Sequence, residues 1–239
     1  MVQLFLDKGA DIDAKGNNGQ MPLLWAAKNE HKKMVQLLFD KGAEIDAKGN
    51  NGWISLLWAA RNGHKEIVQL LFDGGAEADT KGGYGWTPLS GAAGNGHKEI
   101  VQLLLNKGAK INSKSITGQT PFSWAARNGH KEMIQLLLDK GAEIDAKDNN
   151  GWTPLSWAAE KGHKEIVQLL FDKGAEIDSK SNTARTPLCW AAEKGHREMV
   201  RLLFGRGAEA DAKDKYGRTP LSWATGDGHK ETLTNPMYL

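Results

Sequence analysis

GWTPLSWAAEKGHKEIVQLLFDKGA, residues 151–175, holds most of one structural period of this chain. Thr153 before Pro154 is an N-cap followed by a proline at the first helical position, which predicts a short helix through about Lys161. Gly162 ends it. A second helix starts near Lys164, with Ile166, Val167, Leu169 and Leu170 at helical spacing, and Gly174 stands where a left-handed C-terminal cap is wanted. The linking stretch, EIDSKSN at 176–182, is polar and rich in turn formers. Two helices of roughly eight to ten residues are marginal alone, because nucleation costs more than so few hydrogen bonds return. They must stack on neighbours.

The neighbours are copies. Trp25, Trp58, Trp124, Trp157, Trp190 and Trp223 fall on a 33-residue lattice whose missing member is Gly91, and all seven histidines (His31, His64, His97, His130, His163, His196, His229) lie on the same lattice. The chain divides into a half repeat at 1–15, six full repeats over 16–213 and an incomplete one at 214–239. A fixed period of this size is the signature of a stacked array.

Period, turn and paired short helices, with the words G-x-TPL-x-x-AA-x-x-GH-x-EIV-x-LLL-x-x-GA, resemble the ankyrin repeat. GWTPLSWAAEKGHKEIVQLLFDKGA and GQTPFSWAARNGHKEMIQLLLDKGA (118–142) are the best matches, and the resemblance covers essentially the whole chain as one domain. It implies an all-α solenoid of helix-turn-helix units with projecting β-turn fingers. It also implies an interaction module that holds a protein on the concave surface of finger tips and first helices. The TPLSWAA wording is similar to fungal multi-ankyrin proteins, including NOD-like-receptor-type molecules, and implies a second expectation: the sensor or scaffold arm of a larger signalling protein. Met1 would then be an internal methionine.

Composition adds exclusions. Of 239 residues 25% are charged, 31 basic against 29 acidic for a net +2, without the clustered excess of a nucleic-acid binder. One cysteine, Cys189, and no Asn-x-Ser/Thr sequon point to an intracellular place, cytoplasmic or nuclear. No apolar run approaches the ~18 residues of a membrane span. A monomer without cofactor or metal is expected.

Ser156, His163 and Glu165 invite a catalytic reading. Serine gives way to Leu24, Leu57 and Cys189 in sister repeats while histidine persists, the reverse of what a nucleophile and its base require. Zinc is excluded between rungs roughly 8–10 Å apart, since its nitrogen ligands sit about 2.0–2.1 Å from the metal. A histidine in the inter-helix turn bonded to nearby backbone is expected instead.

Tryptophan falls into two groups. The six lattice indoles are assigned to packing between repeats. Around Gly91 and Gly94 a void, groove or soft point is expected. Trp53, Trp86 and Trp152 follow the finger glycines, at a position that varies along the chain (Gln20, Trp53, Trp86, Gln119, Trp152, Arg185, Arg218). With the finger tips and the pair after Ala-Ala, this variable set gives the candidate partner contacts: Trp53, Arg61, Tyr84, Trp86, Gln119, Arg127, Trp152, Lys161 and Arg185. A constant lysine column (Lys15, Lys48, Lys81, Lys114, Lys147, Lys180, Lys213) has an aspartate two residues earlier in six of its seven members, with Asn112 the exception. Local neutralisation of each lysine by that aspartate leaves a mild preference for acidic partners.

Overall fold

The computed structural model describes residues 1–17, 19–50 and 52–226, and among these there are fourteen α-helices and no strand. They form two compact units. The first, Met1–Ile116, contains α1 (Val2–Asp7), α2 (Pro22–Lys28), α3 (Lys32–Asp40), α4 (Ser55–Asn62), α5 (Lys65–Asp73), α6 (Pro88–Gly94) and α7 (Lys98–Asn106). The second begins at Thr117 and contains α8 (Pro121–Asn128), α9 (Lys131–Asp139), α10 (Pro154–Lys161), α11 (Lys164–Asp172), α12 (Pro187–Glu193), α13 (Arg197–Gly205) and α14 (Pro220–Gly226). In each unit the first helices of successive repeats pack in one row and the second helices in another. This is the expected solenoid of helix pairs.

Local chemistry sets the helix bounds. Thr153 Oγ1 accepts the Ser156 amide at 3.2 Å, and Pro154 occupies the first turn of α10. At Thr87/Ser90 and Thr120/Ser123 the bonding is reciprocal, with the serine Oγ accepting the threonine amide in return. Such capping boxes satisfy helix amides that have no partner within the helix. Serine at this place is thus half of a cap. Where Met21 and Ile54 stand in place of threonine, Leu24 and Leu57 replace the serine and no side-chain cap forms.

The core repeats with the sequence. Leu155, Ala158 and Ala159 on α10, and Val167 and Leu170 on α11, have no exposed surface. Alanine pairs let adjacent first helices approach closely. Gly91 carries this furthest: it is buried, and a Cβ built there would stand 3.0 Å from Leu57 Cδ1 and 3.3 Å from Arg61 Cβ. The expected void at Gly91 is therefore corrected. Without a side chain at that place α6 closes onto α4, and the space is filled.

Within each unit side chains also tie repeats to the ones before them. His64, His97, His163 and His196 each place Nε2 3.0 Å from the carbonyl oxygen of Lys28, Arg61, Arg127 and Glu160 respectively. Those carbonyls belong to the last turns of first helices, which have no acceptor role within the helix. A carbonyl only accepts, so Nε2 carries the proton. The expected backbone partner is present, but it lies one repeat back, not in the histidine's own turn. The ring crosses the left-handed glycine of the preceding turn: a Cβ on Gly129 (φ +86°) would meet His163 Cε1 at 2.9 Å.

The aspartates form the second tie. Asp13, Asp46, Asp79, Asp145 and Asp178 accept the amides of Glu44, Glu77, Lys110, Glu176 and Glu209, one repeat on, at 2.8–3.2 Å. The carboxylates turn toward the next loop, while the charges of Lys48, Lys147 and Lys180, two residues on, still act on Asp46, Asp145 and Asp178. Burial pushes the carboxyls of Asp46, Asp145 and Asp178 above the ordinary value, against the amide bonds they accept. Within the lysine column, Lys81 donates to the Lys114 carbonyl at 3.0 Å and Lys147 to that of Lys180 at 3.3 Å.

Candidate functional site

Each finger is a closed turn. The Asp148 amide donates to the Trp152 carbonyl at 3.0 Å, and Asp148 Oδ1 accepts the amides of Asn150 and Trp152, both at 2.9 Å. Neighbouring fingers join by one backbone bond, Asn182 N to Asn150 O at 2.9 Å. Trp152 thus emerges from a fixed backbone. Its indole lies 4.3 Å, centroid to centroid, from Trp157 of its own first helix and 3.9 Å from Trp190 of the next.

That contact joins the two groups of tryptophan. The lattice indoles were expected as packing between repeats, yet Trp58, Trp124, Trp157 and Trp190 are only half-buried and Trp25 is 49% exposed. Within each unit lattice indoles lie against finger indoles, and cations thread between them. In the first unit Trp53 stacks on Trp58 at 4.6 Å, Lys28 Nζ lies 4.7 Å over Trp58, and Arg61 is 5.6, 5.7 and 5.4 Å from Trp53, Trp58 and Trp86. In the second, Arg127 lies 5.2 Å from Trp124 and 4.4 Å from Trp157. Cation–π contacts of this kind contribute roughly 0.5–1 kcal/mol where exposed and more when desolvated. They also immobilise the guanidinium groups before any partner arrives.

Not every candidate is on the open face. Gln119 (4% exposed) and Arg185 (7% exposed) are buried, which corrects their assignment as surface contacts. The Gln119 Oε1 accepts the Thr117 hydroxyl at 3.2 Å. Arg185 lies between Trp190 and Trp223, 3.2 and 3.7 Å from their centroids, and pairs with Glu193. Lys161 is exposed and pairs with Glu160 at 3.1 Å.

Tyr84 is 69% exposed at the tip of a 3-10 turn, Gly83–Gly85, in left-handed backbone (φ 59°, ψ 18°). Its carbonyl accepts the Ile116 amide at 3.0 Å. A non-glycine residue held there costs of order 1–3 kcal/mol. The turn therefore presents the ring at a cost in backbone strain.

The first-helix tryptophans escaped the variable-position argument because they are constant, whereas Lys28 stands in the variable pair after Ala-Ala without having been among the candidate contacts. The signal that could have found them is the five-residue step from Trp152 to Trp157, which sets two indoles side by side across the finger-to-helix corner. Ser156 and His163 are each engaged elsewhere, Ser156 Oγ by Thr153 and His163 Nε2 by Arg127. Among the described residues no group of three or more His, Cys, Asp or Glu side chains could hold a metal ion, and no helix is long and apolar enough to cross a membrane.

A stacked array of helix pairs with closed fingers and an aromatic face defines a repeat-solenoid class of protein. The family model described as ankyrin repeats (3 copies) matches residues 1–82, 48–115, 89–181 and 173–234, and the chain belongs to the ankyrin-repeat family. No curated protein matches it. Ankyrin repeats are generally protein–protein interaction modules, and proteins built from them are typically scaffolds without catalysis.

Proposed function

We propose that this chain is a non-catalytic interaction scaffold that holds a protein partner on the faces made by its fingers and first helices. The contact residues are Trp53, Arg61, Tyr84 and Trp86 in the first unit and Arg127, Trp152 and Lys161 in the second. The observation that carries this reading is the run of half-buried indoles stacked on one another and on guanidinium groups. Aromatic and arginine side chains already fixed in place lose little entropy on binding and dominate interface energetics. The test is affinity capture from the native source with wild type and with a Trp53→Ala, Trp86→Ala, Trp152→Ala variant whose fold is checked by circular dichroism. Loss of the captured protein by the folded variant is expected. Undiminished capture would remove the finger indoles from the binding face.

A further inference from the structure

Arg61, in the last turn of α4, stands among three indoles at 5.4–5.7 Å. Their π-faces, which would otherwise attract a foreign cation, are engaged by the chain's own. What remains on offer is the N–H edge of the guanidinium, a planar fork that matches a carboxylate. Among the described residues no carboxylate pairs with Arg61 or with Lys28, although both are stacked on Trp58.

The second unit displays what completes such a group. Arg185, between Trp190 and Trp223, is paired with Glu193. Arg218, 3.8 Å from the Trp223 centroid, is paired with Asp214 at 2.9 Å. Two arginines stacked on indoles in the second unit, Arg185 and Arg218, are thus closed by acids, whereas Arg127, which lies over Trp124 and Trp157 at the repeat position of Arg61, pairs with no carboxylate among the described residues. Glu193 occupies the repeat position held by Lys28 and Arg61 in the first two repeats, so there a cation stands where the closing acid would be.

We propose that Arg61, with Lys28 one rung before it, receives a glutamate or aspartate carboxylate carried by an extended segment of a protein partner. The inference rests on the interaction reading above and supplies the partner's chemistry. A carboxylate is favoured over a phosphate because the chain's own closed examples are carboxylates. Both cationic groups also lie over indoles, and the Arg61 guanidinium offers a planar fork beside a single ammonium, not a surrounding cluster.

The probe is a capped peptide alternating glutamate and glycine, with its glutamine counterpart and inorganic phosphate as the other arms. Each is titrated into nitrogen-15-labelled protein while the Arg61 Nε–H resonance, assigned by its loss in Arg61→Lys, is followed. The glutamate peptide should shift that resonance saturably and the glutamine peptide should not. Arg61→Gln should weaken binding of the glutamate peptide by about tenfold or more, while Lys65→Gln, at the start of α5, should change it by less than about twofold. Equal binding of the glutamine peptide, a stronger response to phosphate, no saturable shift, or indifference to Arg61→Gln in a folded variant would each overturn the inference. If the triple tryptophan variant loses its partner while Arg61→Gln keeps it, the binding face stands and the carboxylate receptor falls.

Discussion

His163 Nε2 lies 3.0 Å from the carbonyl oxygen of Arg127, in the last turn of the preceding first helix. The histidine therefore closes the C-terminus of a helix to which it does not belong. Replacing it leaves that carbonyl without its donor. His163→Ala should lower stability by about 1–2 kcal/mol, read as a lower urea midpoint. An unchanged midpoint would show that water takes the place of the ring.

Ala184 has φ 60° at a finger position where Gly151 has φ 77° and Gly217 φ 76°. An L side chain in that region costs roughly 1–2 kcal/mol, offset in part by the added chain entropy of glycine. Ala184→Gly should raise stability by about 0.5–1 kcal/mol, measured by thermal unfolding. The reverse change, Gly151→Ala, should destabilise, because its Cβ would also stand 2.7 Å from the Asn182 amide nitrogen.

Burial holds the carboxyls of Asp46, Asp145 and Asp178 above the ordinary aspartate range. A raised folded value means that the protonated form is favoured by folding. Their contribution is complete below the ordinary carboxylate range and is lost as pH rises through the raised value. Asp214 has the opposite sign. Burial acts to raise it, but the amides of Arg218 and Tyr216 and the Arg218 guanidinium hold it low, so its contribution is lost as pH falls. Converting the first three to asparagine, the residue already present at 112, keeps an oxygen for the amide and removes the buried charge. Stability at neutral pH should hold or rise by up to about 1 kcal/mol. Its decline with rising pH across the weakly acidic range should flatten in urea titrations at stepped pH. An unaltered pH profile would contradict this account.

Gly91→Trp would restore the lattice residue, yet it should destabilise by about 1–3 kcal/mol through overpacking. A Cβ there already crowds Leu57 and Arg61. Denaturant unfolding measures the loss, and tryptophan emission should report a disturbed Arg61 environment. A gain in stability would show that α6 can retreat from α4.

The helix pairs were legible because their signals are local. Thr153-Pro154 starts α10, Gly162 ends it, and the apolar spacing from Ile166 to Leu170 orients α11. The ties were not legible, because spacing places His163 in a turn and Asp145 in a loop without saying which neighbour each faces. The face was half legible. Variation singled out Trp53, Trp86 and Trp152, but constancy concealed Trp58 and Trp157, and variability also admitted Gln119 and Arg185, which lie inside. Position along a chain identifies which residues change. It does not say which of them are covered by the next copy.

The ties described in the second unit each reach one repeat: His163 to Arg127, His196 to Glu160, Glu176 to Asp145 and Glu209 to Asp178. Excising residues 148–180 would therefore join like to like. His196 would find the Arg127 carbonyl, Glu209 would find Asp145, and Ser181 would follow Lys147 as Asp148 does now. The chain is modular in the sense of a ladder that can lose a rung without re-cutting the rails. A shortened form should keep its joints and lose only reach.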